Sequence, residues 1–286
     1  MLDFESVESI RELLIRNGLS RIAPDVEAAA LPSVFLTATE PSEGPCCRLG
    51  GRPNLPPDLG WPAWRGRPLS FVSQLDLTAI AQADALGLPQ QGSLYFFYEG
   101  GREAWGFDPE ERGCSQVIYS PGSLREHPLR QLPEDLDADL RFPGVRLDPG
   151  AMCLSLPAAG DQVLLALDLN REESDAYWEC YEEWRQSMPP TDHRVGGHPE
   201  PIQDDPKLHA QLASHGIGGS GSNSIQRGRE LGLLPGAAEW QLLLQVGSEE
   251  AAEMMWGDVG LLYFLIHRSD LAQRRFERAW LVLQCG

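Results

Sequence analysis

The stretches CRLGGRPNLP (residues 47–56) and HRVGGHPEPI (residues 193–202) share one pattern: an arginine lies two residues before a Gly-Gly pair, and a proline lies two residues after it. Glycine adopts positive φ without a steric penalty, and proline favours an extended backbone in the residue before it. Each stretch therefore predicts a sharp turn at the entry to a sheet. Because Arg48 and Arg194 occupy equivalent places, the pattern favours a structural anchor present twice over two active sites.

The similarity between the two regions continues beyond the turns. The segments that follow are predicted strands and match in the same order: LSFVSQLDL (69–77) with WQLLLQVGS (240–248), and GSLYFF (92–97) with GLLYFL (260–265). The first match aligns Gln74 with Gln245 inside otherwise apolar strands. A buried amide must find hydrogen-bond partners, so these glutamines are predicted to bridge the two halves structurally rather than to contact a ligand.

These ordered matches predict an internal duplication. The expected fold is α+β, with two related β-rich repeats that share a core, mixed or antiparallel sheets, and peripheral helices. The repeats cover approximately residues 31–123 and 150–286, in a single domain of residues 1–286 that begins with a helical segment at 1–30. Pairing between the repeats would protect the edges of their strands.

The second repeat also carries predicted local elements of its own. The apolar segment QVLLALD (162–168) predicts a strand, and REESDAYWECYEEWRQSM (171–188) predicts an amphipathic helix with apolar residues at helical spacing. The histidine-rich segment 193–215 is expected to be loop with solvated side chains. The segment 215–229 is rich in glycine and serine and is expected to be a flexible loop.

The net charge of the chain limits which classes of partner are expected. The 286 residues include 42 acidic and 23 basic side chains, for a formal net charge of −19. Nucleic-acid binding depends on neutralising phosphates with lysine and arginine, so DNA and RNA are not expected partners. The acidity favours solubility and also suits an acidic face for a basic protein partner.

The hydropathy of the chain and its N-terminal residues predict where in the cell the protein resides. The longest apolar run, VGLLYFLI (259–266), is far shorter than the roughly 20 residues of a membrane helix. The N-terminal residues carry early acids and no secretory signal pattern. A cytoplasmic protein that does not bind membranes is expected.

Several segments resemble a known family. They are RLGGRPNLP, GWPAWRGRPLSFVSQLDL and GSLYFFY in the first half, and HRVGGHPEPIQ, WQLLLQV, MMWGDVGLLYFLI and DLAQRRFERAWLVLQC in the second. Over roughly residues 45–286 the chain resembles the YwqG-like family, a bacterial domain of unknown function. The resemblance implies an α+β fold with large mixed sheets and an internal duplication, and it implies no established reaction. Some members lie near bacterial toxin systems, which suggests an immunity or protein-binding role.

The sequence does not predict catalytic residues or a cofactor. His193, His198, His209 and His215 fall within one short segment, but their spacing matches no helical metal motif such as H-E-x-x-H. No metal site is therefore predicted, although the segment 193–215 leaves the question open. The glycine-rich residues 216–224 lack the lysine of a phosphate-binding loop, and no Ser-His-Asp, Cys-His or paired-carboxylate signature is present.

Two aromatic groups are candidates for binding. Trp61 and Trp64 lie in a proline-rich loop beside two arginines, and they form either a recognition surface or the packing beneath that loop. Trp256 and Asp258 precede an apolar strand. There, Asp258 either accepts backbone N–H bonds in a turn or forms, with Trp256, the wall of a ligand pocket.

Two functions follow as hypotheses. The first is a non-catalytic binding protein, with its partner contacted by the tryptophan-rich loop and the acidic surface. The alternative is an enzyme or small-molecule binder with its site in the cleft between the repeats. That site would be lined by Arg48, Gln74, Arg194, Gln245, Trp256 and Asp258.

Overall fold

The computed structural model describes Phe4 and residues 6–286. The helices within these residues are α1 (Val7–Arg16), α2 (Ala23–Ala29), α3 (Gln162–Leu165), α4 (Arg171–Ser187), α5 (Pro206–Ser214), α6 (Ser222–Glu230) and α7 (Arg268–Ala272). The strands are β1 (Leu31–Pro41), β2 (Arg48–Leu49), β3 (Ala63–Trp64), β4 (Arg67–Pro68), β5 (Ser70–Asp76), β6 (Ser93–Tyr98), β7 (Ser115–Ser120), β8 (Val145–Ser155), β9 (His193–Gly196), β10 (Trp240–Gly247), β11 (Leu261–His267) and β12 (Trp280–Gln284).

One large sheet dominates the fold. Within the described residues, ten strands pair in the order β12-β11-β10-β9-β1-β8-β2-β5-β6-β7, and β3 and β4 form a separate hairpin. Each neighbouring pair described is antiparallel. The prediction of helices with antiparallel strands is therefore confirmed. The expected mixed pairing is not found in this part of the chain, because successive strands such as β5 and β6 return as antiparallel neighbours without a parallel crossover.

The strand order is symmetric about the central pair β1–β8. The strands β9, β10, β11 and β12 on one side correspond in position to β2, β5, β6 and β7 on the other. β1 precedes β2 in the chain but pairs with β9, whereas β8 precedes β9 but pairs with β2. The first strand of each half therefore joins the strands of the other half, so the ten-stranded sheet interleaves the two halves.

Both Gly-Gly pairs make the predicted turns. The φ angles are +53° at Gly50 and +70° at Gly51, and +69° at Gly196 and +73° at Gly197. A Cβ on Gly50 would collide with the carbonyl oxygen of Pro143, and one on Gly196 would lie 2.9 Å from that of Pro32. Positive φ and close backbone contact together explain why glycine is needed.

The main core lies where the two sides of the sheet face each other. Phe96 on β6 and Phe264 on β11 pack edge to face, with ring centroids 5.1 Å apart. Both rings are fully buried and belong to one apolar cluster that includes residues of β5, β6, β10, β11 and β12. The sheet must therefore curve strongly, since β6 and β11 are separated by six intervening strands in the sheet order.

A second apolar cluster lies beneath the helices of the other face. Tyr177 and Trp184 of α4 are buried against α1 and α2. The hydroxyl of Tyr177 donates to the carbonyl of Pro157 (2.7 Å), and the indole N–H of Trp184 donates to that of Leu154 (2.9 Å). These contacts confirm the predicted amphipathic helix. Among the described helices, none has the length and apolar character needed to cross a bilayer.

The predicted strand at 162–168 is wrong, because residues 162–165 form α3. Asp161 accepts a hydrogen bond from the N–H of Val163 (3.0 Å) and so caps the helix. The side chain of Leu164 is buried, whereas that of Leu165 is 60% exposed. The capping aspartate and contacts with the rest of the fold make this segment helical, whereas its apolar run alone does not distinguish a helix from a strand.

The two loops predicted at 193–215 and 215–229 also need correction. The first contains β9 and α5, and α5 begins with Asp205 as its cap and Pro206 in its first turn. The second contains α6 from Ser222 onward. Gly228 of α6 lies against Leu212 of α5 so closely that a Cβ would collide with that side chain. Tertiary packing therefore stabilises α6, although its residues have low helix propensity.

Candidate functional site

Arg48 and Gln74 use their polar atoms on the backbone of the first turn. The buried guanidinium of Arg48 donates to the carbonyls of Gly44 (2.6 Å), Gly50 (3.1 Å) and Arg52. Burial lowers its pKa. Gln74, opposite Arg48 across the strand pair, accepts from the N–H of Asn54 (2.9 Å) and donates to the carbonyl of Cys46 (3.0 Å).

The second turn repeats the glutamine contacts at equivalent positions. Gln245 lies opposite Arg194, accepts from the N–H of Glu200 (2.9 Å) and donates to the carbonyl of Asp192 (3.0 Å). In both turns the donating N–H lies six residues after the arginine, and the accepting carbonyl two residues before it. Each glutamine therefore bonds to the turn of its own half, and the prediction that these amides bridge the two halves is wrong. The arginines differ, because Arg194 pairs with the Glu200 carboxylate (2.5 Å) and lies over the ring of Phe35.

The tryptophans of the proline-rich loop pack against the sheet. Trp61 is half-buried, and its indole N–H donates to the carbonyl of Leu69 (2.8 Å). Its ring packs edge to face on Phe97. Trp64 is 8% exposed and carries the guanidinium of Arg65 over its ring, 4.2 Å from the centroid.

Trp256 and Asp258 lie in different surroundings, one buried and the other exposed. Trp256 is 1% exposed, packs on Tyr98 and Phe142, and donates its indole N–H to the carbonyl of Gly247 (3.2 Å). Asp258 is exposed, and its backbone carbonyl accepts the N–H of Gly286 (3.3 Å). Trp256 is thus part of the core.

Sequence analysis missed a buried ionic cluster of Asp161, His198 and Lys207. Lys207 Nζ and His198 Nδ1 (3.0 Å) both contact Asp161 Oδ2, and His198 Nε2 lies 2.8 Å from the carbonyl oxygen of Ala29. Both ring nitrogens of His198 therefore lie within hydrogen-bond distance of an oxygen. Burial opposes ionisation of Asp161, but His198 and Lys207 outweigh it and hold the pKa of Asp161 well below its usual range.

Two further titratable groups lie at the start of α5. Burial raises the pKa of Asp205 to about 7, against the opposing charge of Lys207. Burial also lowers the pKa of His209. His193, His198 and His209 are buried, so the expectation that this segment's histidines are solvated is wrong for them. Across the described residues, no group of three or more histidine, cysteine or carboxylate side chains is placed to hold a metal ion.

A cavity of about 430 Å³ lies beside Trp64 and is strongly acidic. Its walls come from the β3–β4 hairpin, the loop after β6 and the segment 135–140. The carboxylates that line it, which define the acidic cavity, are Glu99, Glu103, Asp135, Asp137 and Asp139. Those of Asp135, Asp137 and Asp139 are exposed to solvent, so the cavity is accessible.

The charges of the acidic cavity are held in different ways. Glu99 is 7% exposed and accepts from the backbone N–H groups of Gly101 (2.9 Å) and Glu103 (2.6 Å). Arg67 is the one cation among the lining residues, and its guanidinium is paired with both oxygens of Glu103. Arg67 lowers the pKa of Glu103. Asp135, Asp137 and Asp139 form no ion pair within the described residues, but cations lie near them. Arg67, whose pKa Glu103 raises most, also interacts with the charge of Asp137, and the guanidinium of Arg141 donates to the carbonyl of Leu136 (2.9 Å).

A buried hydroxyl lies next to this cavity. Among the described residues, Ser70 Oγ has no hydrogen-bond partner. It lies 2.5 Å from the place that a Cβ on Gly100 would occupy, and Leu140 of the cavity wall lies 3.3 Å from the same place. Ser70 itself is fully buried and does not line the cavity, so this hydroxyl lies behind the wall.

Sequence reasoning found Trp64 but missed the carboxylates around it. The signal is present in the alternating acids of EDLDADL (134–140), a segment that lies between the two predicted repeats. The structure brings Trp64 to this segment, and it places Arg48 and Gln74 in a different strand pair from Arg194 and Gln245.

Comparison with known proteins places the chain in a family. The model of a family described as a domain of unknown function (DUF1963) matches residues 47–285. The chain therefore belongs to the DUF1963 family, whose members have no assigned reaction by that description. The narrower YwqG-like name stays a resemblance. No curated protein matches the sequence significantly.

Proposed function

We propose that this member of the DUF1963 family is a binding protein whose acidic cavity accepts an arginine- or lysine-rich segment of a partner protein. The observation that carries the proposal is the excess of acidic over basic residues in the cavity wall, which is lined by five carboxylate residues and one arginine. Carboxylates from two separate segments face one space, and the only guanidinium in its wall is already paired with Glu103. The net charge of −19 adds long-range attraction for a basic partner.

The aromatic wall supports the same class of ligand. Trp64 already holds the guanidinium of Arg65 at 4.2 Å, which is a cation–π contact. A cationic side chain of a partner would meet carboxylates and an aromatic ring in the same space. Both groups favour a guanidinium or ammonium over an anion or an uncharged molecule.

The alternative hypothesis, an enzyme or small-molecule site between the repeats, has less support from the residues that were expected to line it. The backbone already supplies hydrogen-bond partners to the side chains of Gln74, Gln245 and Trp256. An enzyme site in a cleft between the halves would need such groups to face a substrate. The acidic cavity instead presents side chains that face solvent.

The proposal is tested by titrating a labelled twelve-residue peptide of alternating arginine and serine at about 150 mM salt. The cavity variant is Asp135→Asn, Asp137→Asn and Asp139→Asn combined. The matched control, Glu172→Gln, Asp175→Asn and Glu179→Gln, removes the same charge from exposed positions on α4. We expect the cavity variant to raise Kd about tenfold, equivalent to about 1.4 kcal/mol, and the control to raise it less than about threefold, since exposed charges contribute little each. Equal losses in both variants, or no binding to the wild type, would overturn the proposal.

We further infer that the two halves are copies of one duplicated unit. The symmetric strand order and the equivalent contacts of Gln74 and Gln245 support this inference. The strand irregularities support it too, because β5 and β10 each skip one residue in the register two positions before their glutamine. No chemical role of the turns is needed to explain why the Gly-Gly motif occurs twice.

Equivalent turns should respond alike to substitution. We expect Gly50→Ala and Gly196→Ala each to lower the free energy of unfolding by about 2 kcal/mol or more, because a Cβ adds a backbone clash to the cost of positive φ. Gly18→Ala is the control, since Gly18 has φ +78° with no neighbouring atom within 4 Å, and should cost only about 1 kcal/mol. Denaturant unfolding measures all three. A tolerated substitution at one turn only would contradict their equivalence.

A further inference from the structure

Strand β7 is an edge strand with backbone groups that face away from the sheet. The N–H of Glu99 donates to the carbonyl of Cys114 (2.8 Å), which sets the alternation of the β6–β7 pair. The N–H and C=O groups of Ser115, Val117 and Tyr119 therefore point away from β6. In the part of the chain that the structure describes, these outward groups have no hydrogen-bond partner.

A groove runs along this unpaired edge. Two cavities of about 280 Å³ each follow β7, one beside Ser115 and the other beside Val117 and Tyr119. Gln116 and Glu277 line both cavities, so the two spaces adjoin. Residues 276–281 form the opposite wall. We call this space the edge groove.

The strand at the other edge of the sheet, β12, pairs with backbone from a loop of the same chain. The N–H of Leu283 on β12 donates to the carbonyl of Trp105 (2.9 Å), in the loop after β6. The indole N–H of Trp280 donates to the carbonyl of Gly106 (2.8 Å), and a Cβ on Gly106 would collide with the carbonyl of Leu281. The chain thus covers β12 with its own backbone, whereas residues 276–278 pack beside β7 without forming a hydrogen bond to its outward groups in the described part of the chain.

We propose that the edge groove binds an extended peptide of a partner protein, which adds to β7 as a further antiparallel strand. Outward donors and acceptors recur at every second residue of β7, about 7 Å apart, and an extended peptide backbone matches that repeat. Val117 is buried, and Phe276 packs on Tyr119 along the same edge. Gln116, by contrast, is exposed. The bound strand should therefore alternate apolar and polar residues.

This proposal is independent of the acidic cavity. It depends on backbone groups of β7, whereas binding in the cavity depends on carboxylates. The walls of the edge groove carry both signs of charge, including Arg112, Arg274 and Glu277. A strand without strong net charge is the occupant they favour.

The test selects phage-displayed random twelve-residue peptides on the full chain, with counter-selection on Val117→Pro. Proline removes the outward N–H of Val117 and leaves the neighbouring bonds to β6, as edge positions tolerate. We expect selected peptides to alternate apolar and polar residues and to bind Val117→Pro at least tenfold more weakly than wild type. The control Val117→Thr keeps the N–H and should change Kd less than about twofold. On binding, the amide hydrogens of Val117 and Tyr119 should gain protection from exchange.

A second measurement covers the case in which Val117→Pro fails to fold. Selected peptides are remade with N-methyl groups on alternate backbone nitrogens, in both parities. Strand addition requires one parity to lose binding and the other to keep it, because only one set of nitrogens faces β7. Peptides that tolerate both parities, or a selection that yields no specific binder, would overturn the proposal. The triple aspartate variant of the acidic cavity should bind these peptides like wild type.

Discussion

Asp161→Asn is expected to lower the free energy of unfolding by about 3–5 kcal/mol. The carboxylate is 3% exposed and faces Lys207 and His198, which are buried as well. The substitution keeps the shape and the cap of α3 but leaves the buried ammonium of Lys207 without its anion and His198 without its carboxylate partner. Chemical denaturation at pH 7 measures the change.

The control for this prediction is Asp108→Asn, at an exposed cap of a short 3-10 turn, which should change stability by less than about 1 kcal/mol. Adding Lys207→Met to Asp161→Asn removes the buried ammonium that the first substitution leaves unpaired. Part of the lost stability should therefore return, as a coupling energy between the two positions. If Asp161→Asn proved as mild as its control, or if the two substitutions added independently, the ionic cluster would not act as a unit.

Trp256→Ala is expected to lower the free energy of unfolding by about 3–5 kcal/mol. The indole is 1% exposed, packs on Tyr98 and Phe142, and donates to the carbonyl of Gly247, so its removal leaves a cavity and an unpaired carbonyl. Differential scanning calorimetry and denaturant unfolding both report the loss.

The comparison for Trp256 is Trp178, which is 56% exposed on α4. Trp178→Ala should change stability by less than about 0.5 kcal/mol. Trp256→Phe should fall between the two, since it keeps an aromatic ring but loses the indole N–H. A stable Trp256→Ala protein would instead favour the earlier hypothesis that this ring forms the wall of a ligand pocket.

The parts of the fold that could be predicted are those with local, repeated signals. The Gly-Gly turns follow from backbone chemistry that needs no distant partner. Gln74 and Gln245 are recognisable as amides within apolar strands, and each forms the hydrogen bonds expected of a buried amide. Their partners lie in the same half of the chain, not across the two halves as predicted, because spacing does not show which backbone the amide reaches. The segment 162–168 was misjudged because its apolar run suits either a strand or a helix, and Asp161 decides between them.

The acidic cavity and the ionic cluster depend on contacts that sequence spacing does not reveal. Lys207 is the only lysine in the chain, yet its partner Asp161 lies 46 residues earlier. Trp64, Glu99 and Asp137 come from three separate segments that meet only in the folded chain. Charge alone indicated a basic partner, but the place where that charge converges required the structure.

The most direct test of the central claim is to map where a cationic peptide binds. The uniformly ¹⁵N-labelled chain is titrated with the alternating arginine–serine peptide, and amide chemical shifts are followed together with the tryptophan indole signals. We expect the shifts to concentrate at residues 99–103, at 135–140 and at the indole of Trp64, and to vanish in the triple aspartate variant. Shifts centred on another surface, or spread evenly over the acidic exterior, would contradict binding in the acidic cavity.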